Sequence, residues 1–149
     1  MDNKVYIKEF FILTNKLKRL LDTKHQKNGL HSGQARILIY LYKNKEKEVF
    51  QKDIENTFQI RGGSVTGIID SLTKHDYIKR VSLKSDKRKR KIVLTDKGET
   101  FAKHGVDTNV YMENMLNNLM DETEKSVFEA VLMKINHWID AEEQNEKTN

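Results

Sequence analysis

The chain has 149 residues, of which 33% are charged, and its mean hydropathy is −0.73. This length suits a single domain, and no apolar run approaches the roughly 20 residues of a membrane-spanning helix. The absence of cysteine excludes disulfides, thiolate metal sites and thiol redox switches. Because the first residues also lack a signal-peptide pattern, we expect a cytoplasmic protein with no membrane partner.

Basic charge is concentrated in the middle of the chain. The formal net charge is +5, from 27 Lys and Arg against 22 Asp and Glu. Within residues 84–91, every residue except Ser85 and Asp86 is Lys or Arg, whereas residues 140–146 are acidic. Proline is absent and glycine is scarce, which argues against an all-β fold and predicts a mostly helical chain.

The first two segments are predicted to be helices. Asn28-Gly29 ends the first, because glycine adopts the left-handed conformation that closes a helix. Ser32 is the predicted cap of the second, and its apolar run over residues 37–42 predicts burial, with a strand as the alternative. The apolar positions of the first helix, spaced mainly three or four apart, are Tyr6, Phe10, Leu13, Leu17, Leu20 and Leu21.

A helix-turn-helix is predicted next. Its helices cover residues 51–58 and about 64–75, and Gly62-Gly63 separates them. The inward stripe of the second helix is Val65, Ile68, Ile69 and Leu72. Its outward face is small or hydrogen-bonding, unlike the Glu and Lys mixture of an ordinary solvated helix, and consists of Gly63, Ser64, Thr66, Gly67, Asp70, Ser71 and Lys74.

A hairpin with a cationic tip follows. Alternating apolar residues over 77–83 and 90–94 predict two strands. One acid among many bases is interpreted as a partner that orients a base, here Asp86 with Arg88. The alternative, a merely solvated basic loop, is disfavoured because the hairpin directly follows the helix-turn-helix.

The last two helices have recognisable beginnings. Thr95 is the predicted cap of one helix, and Asp121 with Glu124 forms a capping box for the other. The tail after Ala141 is predicted to fray.

These elements together suit duplex DNA, whose major groove admits one helix. Glycines let backbone approach phosphate closely, and Ser or Thr bonds either phosphate or base. The alternative is that Gly62-Gly63 is only a turn and Ser64 only a cap. The candidate DNA contacts are Arg61, Gly63, Ser64, Thr66, Gly67, Ser71 and Lys74 around the second helix, and Lys84, Asp86, Lys87, Arg88, Lys89 and Arg90 on the hairpin.

Four motifs in order resemble the central signature of the MarR family of transcription regulators. They are SVTGIIDSL at 64–72, YIKR at 77–80, Asp86-x-Arg88 and LTDKG at 94–98. The resemblance implies that the second helix enters the major groove and that Arg88, held by Asp86, reaches the minor groove. Asp76 departs from the glycine common in the family, but Asp tolerates a left-handed turn.

The expected fold is mainly α with a small β-hairpin wing, in a single domain over residues 1–149. A winged helix-turn-helix lobe over about 32–98 is flanked by N- and C-terminal dimerisation helices over about 1–28 and 99–143. The resemblance implies that these helices join two subunits, so that the dimer binds a pseudo-palindrome. The alternative is that their apolar faces complete a monomeric bundle.

The expected function is sequence-specific binding of double-stranded DNA and regulation of transcription, as a repressor or, alternatively, an activator. The resemblance also implies release by a small, aromatic or anionic effector. Candidate cleft residues, for which core packing is the alternative, are Tyr6, Phe10, Phe11, Tyr40, Tyr42 and Tyr111.

No catalytic activity, cofactor or metal is expected. No nucleophile elbow, P-loop or zinc-binding helix motif occurs. A histidine site assembled between helices, a winged-helix interaction module that does not bind DNA, and RNA binding are the alternatives. The histidines are scattered at His25, His31, His75, His104 and His137.

Overall fold

The computed structural model describes residues 5–26 and 29–148. These ranges form α1 (Tyr6–Gln26), α2 (Ser32–Lys43), α3 (Gln51–Phe58), α4 (Gly62–Lys74), β1 (Ile78–Ser82), β2 (Arg90–Leu94), α5 (Asp96–Asn118) and α6 (Glu122–Thr148). The chain divides into two compact units, and the boundary falls inside α5, between Thr108 and Asn109. The expected fold class, mainly α with a two-stranded hairpin, is confirmed.

The core of the first unit is built around α2. Its apolar run is helical, so the strand alternative was wrong, and it contributes buried residues on several sides. Each aliphatic side chain buried in this way contributes about 1.5–3 kcal/mol. The largest fully buried side chains among the described residues are Ile37, Leu38, Ile54, Ile69, Leu72, Ile78 and Val65.

The predicted helix-turn-helix is confirmed. α3 has the predicted bounds, and Gln59 ends it in a left-handed conformation with φ of 51°. α4 begins at Gly62, two residues earlier than predicted, because both glycines of the break are helical and Arg61 is the N-cap. The break between the two helices is therefore only three residues long.

The hairpin is antiparallel and in register from Ile78 opposite Leu94 to Ser82 opposite Arg90. It is anchored to the start of the helix-turn-helix, since the backbone N–H of Ile92 donates to the carbonyl of Val49 at 2.8 Å. Asp76, just before β1, has φ of 58°, the left-handed conformation expected there.

Both predicted helix beginnings near the C-terminus are confirmed. The Thr95 hydroxyl accepts from the Gly98 N–H at 3.1 Å. The Asp121 and Glu124 carboxylates accept reciprocally from each other's backbone N–H at 2.9 and 3.0 Å. The predicted fraying after Ala141 was wrong, because α6 continues to Thr148. Residues 141–148 are mainly Ala, Glu, Gln and Lys, which favour helix irrespective of charge.

The beginning of α2 also differs from prediction. His31 is its N-cap, and the Gln34 side chain accepts from the His31 backbone N–H at 3.0 Å. Ser32 is instead the first helical residue, and its N–H donates to Asp22 of α1 at 2.7 Å. Asn28-Gly29 was predicted to end the first helix. Asn28 lies outside the described residues, and Gly29 has a φ of 76°, which is in the left-handed region.

The Asp22 carboxylate links α1 to α2. Hydrogen bonds from the side chain and backbone of Ser32 lower the pKa of Asp22 below its ordinary 3.8, and the charges of His31 and Lys18 act in the same direction. A lowered pKa in the folded state contributes stability that is present above the unfolded pKa and lost as pH falls through the folded value.

We therefore expect Asp22→Asn to reduce the free energy of unfolding by about 1 kcal/mol at pH 7, because a helix N–H loses its charged acceptor. The difference from the unsubstituted chain should shrink as pH falls below the ordinary carboxyl pKa. Urea denaturation at neutral and acidic pH measures this, with the exposed Asp107→Asn as control. A loss that is equal at both pH values would contradict it.

Gly98 allows the first turn of α5 to contact the backbone before β1. A Cβ there would overlap the carbonyl oxygen of Tyr77, which already accepts from the Thr95 N–H at 3.1 Å. Gly67, by contrast, lies within α4, and a Cβ there would meet nothing within 4 Å.

We expect Gly98→Ala to destabilise the fold by about 1–3 kcal/mol through overpacking. Gly67→Ala should instead stabilise it by about 0.5–1 kcal/mol, because alanine loses less entropy in a helix. Thermal and urea unfolding of the two variants gives the comparison. Equal stability of the two would refute this account of the α5 contact.

Candidate nucleic-acid interface

α4 is buried on one side and presents a narrow polar strip on the other. Val65, Ile69 and Leu72 are buried in the core. No Cβ at Gly63 or Gly67 would meet an atom within 4 Å, so packing does not require glycine at either position. The exposed residues of this strip are Gly63, Ser64, Thr66, Gly67, Asp70 and Lys74. Such a surface allows another molecule to approach the helix backbone closely.

The beginning of α4 is held by α3. The Gln51 amide donates to the Thr66 hydroxyl at 2.8 Å and to the Glu55 carboxylate at 3.2 Å. The Thr66 hydroxyl in turn donates to the Gly62 carbonyl at 2.9 Å. Arg61 precedes the helix and is exposed. Gln51 is not predictable from local sequence, since its contact with Thr66 spans fifteen positions and leaves no local pattern.

Ser71 is placed differently from its predicted position on the outer face. It is half-buried, and its hydroxyl accepts from the Gln34 amide of α2 at 3.0 Å. Ser71 therefore takes part in packing α2 against α4.

An ion pair joins α4 to the hairpin. The Arg80 guanidinium of β1 donates to the Asp70 carboxylate at 2.7 Å. The Asp70 side chain nevertheless remains 59% exposed, and that of Arg80 is 30% exposed. Asp70 was recognised on the outward face but not proposed as a contact, and its pairing with Arg80 depends on β1 lying beside α4.

The tip of the hairpin is organised by Asp86. Its carboxylate accepts from both the backbone N–H and the Nε of Arg88, at 3.0 and 3.3 Å. The Lys89 N–H donates to the Asp86 carbonyl at 3.0 Å, which closes the turn. The Arg88 side chain is 91% exposed. The remaining predicted contacts of the tip, also exposed, are Lys84, Lys87, Lys89 and Arg90.

The candidate effector residues do not share one cleft within the first unit. Tyr6 and Phe10 line an open groove of about 310 Å³ on α1, with Glu9, Ile12, Leu13 and Lys16. Phe11 is exposed on the same helix. Tyr40 packs edge-on against Phe58, with ring centroids 5.6 Å apart, and Tyr42 is half-buried against the core. Tyr111 is exposed in the second unit.

Residues 5–26 and 29–148 contain no group of three or more His, Asp or Glu side chains placed to hold a metal ion. No helix in the same part of the chain has the length and apolar character needed to cross a membrane.

Comparison with known proteins gives a consistent result. A model of the MarR family matches residues 28–89. The transcriptional repressor YetL of Bacillus subtilis is 25% identical over 60% of this chain and 53% of its own length. The transcriptional regulator PapX of Escherichia coli is 29% identical over 72% of this chain and 65% of its own. The chain thus spans less than two thirds of either curated relative, and neither is named as an enzyme.

Solved structures share the fold. MepR of Staphylococcus aureus, in a complex with DNA, superposes with a TM-score of 0.85 at 24% identity, covering 91% of this chain and 98% of MepR. MarR from Oenococcus oeni superposes with a TM-score of 0.76 at 22% identity, covering 87% of this chain and 97% of that protein. A model of the MarR family therefore matches the central part of this chain, and the solved structures of MepR and MarR share its fold.

Proposed function

We propose that this chain binds double-stranded DNA sequence-specifically, as a homodimer on a pseudo-palindromic operator, and represses transcription until a small molecule releases it. The observation that supports this most directly is the joint presentation of two surfaces. The exposed strip of α4 and the cationic hairpin tip belong to elements joined by the Asp70–Arg80 ion pair.

The exposed strip of α4 suits the major groove. A helix fits there only if its outer side chains allow close approach, and base edges in that groove are distinguishable by their donors and acceptors. Gly63 and Gly67 provide that approach, and Ser64 lies in the first turn, where backbone N–H groups favour phosphate. Arg61 and Lys74 add positive charge at the two ends of the helix.

The hairpin tip suits the adjacent phosphates and minor groove. Arg88 is almost fully exposed, yet its Nε contacts Asp86, so the side chain has a preferred direction. The neighbouring Lys and Arg residues provide the sequence-independent, salt-sensitive part of the affinity. We assign Arg88 to the minor groove, where a guanidinium is attracted by the negative potential.

The relatives support this proposal. YetL is named as a repressor and PapX as a transcriptional regulator, and MepR was solved as a complex with DNA. We extend DNA binding, transcriptional regulation and the absence of catalysis to this chain on that basis.

The homodimer is supported by the distribution of exposed apolar side chains. Among the described residues, the large hydrophobic side chains that are exposed lie in two stretches, 5–20 and 110–139. Leu17 is 49% exposed and Trp138 55% exposed. Apolar surface of this extent indicates a protein interface, and a two-fold symmetric dimer would bury the same surface on both subunits.

The effector is assigned to the groove that Tyr6 and Phe10 line on α1. Its volume lies at the lower end of the range for small-molecule sites, and Lys16 provides a cation for an anionic ligand. In the proposed dimer, a ligand bound there would act on a helix of the interface.

We expect Arg88→Ala to weaken binding to the operator by about 1–3 kcal/mol, because a base- or phosphate-contacting guanidinium is lost. Fluorescence anisotropy on upstream DNA and on a scrambled duplex, across a salt series, measures this effect. Lys134→Ala, which removes an exposed cation of α6, is the matched control and should leave affinity unchanged.

The affinity of the unsubstituted protein for its operator should exceed its affinity for the scrambled duplex by about a thousandfold or more. Equal and weak binding to both duplexes, with no effect of Arg88→Ala, would refute the proposed function. A winged-helix interaction module would then be the better interpretation.

We expect Leu17→Glu and Leu132→Glu each to convert the dimer into a monomer, because a buried, unpaired carboxylate is strongly disfavoured at an apolar interface. Light scattering after gel filtration should then give the 17.5 kDa of one chain instead of twice that mass. Asn15→Glu adds the same charge to α1 at a polar position and should remain dimeric. If both leucine variants remain dimeric, these faces do not form the interface.

A further inference from the structure

We infer that Asp70 is a specificity-determining residue that accepts a hydrogen bond from the N4 amino group of a cytosine in each half-site, with Arg80 as its positioning residue. This inference rests on the proposed DNA binding. It specifies which base Asp70 recognises and which atom of that base it contacts. It starts from the ion pair that joins α4 to β1.

Asp70 lies in the middle of the exposed strip. It follows Gly63 by seven residues and Gly67 by three and precedes Lys74 by four, so these positions lie on one face of the helix. Its place along α4 is about 10 Å beyond Gly63, at 1.5 Å per residue. The glycines on this face leave its carboxylate as one of the few side chains long enough to reach a base edge.

Arg80 fixes the direction of the carboxylate without covering it. One oxygen, Oδ1, accepts from the Arg80 guanidinium at 2.7 Å, and the side chain remains 59% exposed. A second acceptor oxygen is therefore available in a restrained orientation. The positive charge of Arg80 also reduces the repulsion between Asp70 and DNA phosphates, which would otherwise weaken binding to every sequence.

The chemistry of a carboxylate selects among bases. An ionised carboxylate only accepts hydrogen bonds, and the donors in the major groove are cytosine N4 and adenine N6. Adenine places its N7 acceptor beside N6, which disfavours a carboxylate there, and guanine and thymine present no donor at all. Cytosine is the base that presents a donor alone.

A purely structural role for the ion pair, fixing β1 against α4, is the competing explanation. The two roles differ in one readout, because a structural role changes stability or overall affinity but leaves base preference unchanged. Asp70→Asn separates them, since asparagine keeps an oxygen for Arg80 and adds an amide donor. With the oxygen held by Arg80, the exposed group is then an N–H donor, which pairs with the acceptors of guanine or thymine and not with cytosine N4.

The experiment selects bound duplexes from a random library with the full-length protein and with Asp70→Asn, followed by sequencing. We expect the unsubstituted protein to enrich cytosine at one position of each half-site and Asp70→Asn to lose that enrichment in favour of guanine or thymine. In anisotropy titrations, replacing that cytosine should weaken the unsubstituted protein about fivefold or more, which corresponds to one good base contact. Asp70→Asn should lose this discrimination.

Three further variants complete the test. Glu48→Gln removes a carboxylate of similar exposure that pairs with Lys91 of β2 at 3.5 Å but lies outside α4, and it should keep the cytosine preference. Arg80→Gln should keep the same preferred base with weaker discrimination. Asp70→Ala should lose the preference altogether, and it provides a second measurement if Asp70→Asn is poorly folded by circular dichroism.

The outcomes separate this inference from the proposed function. If the unsubstituted protein enriches no sequence, the proposed function is wrong and the inference with it. If it enriches a half-site that Asp70→Asn and Asp70→Ala leave unchanged, the proposed function stands and the role of Asp70 is overturned. A change of preference confined to the position of the cytosine supports the inference.

Discussion

The one-sided burial of α4 is the constraint on which the rest of the structure depends. Val65, Ile69 and Leu72 are fully buried, so the rotation of α4 about its axis is fixed by close packing. The opposite strip, with two glycines and few long side chains, must then face outward. A helix that packed less completely could rotate, and the polar strip would have no defined direction.

Two exposed ion pairs direct side chains on this surface. Surface ion pairs contribute roughly 0–1 kcal/mol, so neither Asp86 with Arg88 nor Asp70 with Arg80 is needed to hold the fold. Their effect is to restrain a charged group that remains accessible, a guanidinium at the hairpin tip and a carboxylate on α4. Because these side chains are already restrained in the free protein, they lose less conformational entropy on binding.

Local patterns predicted local structure well. The helix-turn-helix, the hairpin, the Thr95 cap and the left-handed Asp76 all depend on residues within a few positions of each other, and all were confirmed. The errors at Ser32 and Ser71 arose where distant groups act. Ser32 was taken for a cap because it is a serine before a helix, whereas the helix N–H groups are satisfied by Asp22 and by Gln34.

The sequence alone determined the order of elements, the cationic tip with its Asp86-x-Arg88 turn and the small residues of α4, because each follows from short-range periodicity, turn chemistry or charge. Only the tertiary structure decided which polar side chains of α4 are accessible. Packing turned Ser71 toward Gln34 and brought Gln51 to Thr66 and Arg80 to Asp70. Such contacts depend on how separate elements pack. Because the hydrophobic burial that determines this packing is non-directional, the sequence pattern that predicts it does not show which polar side chains will meet.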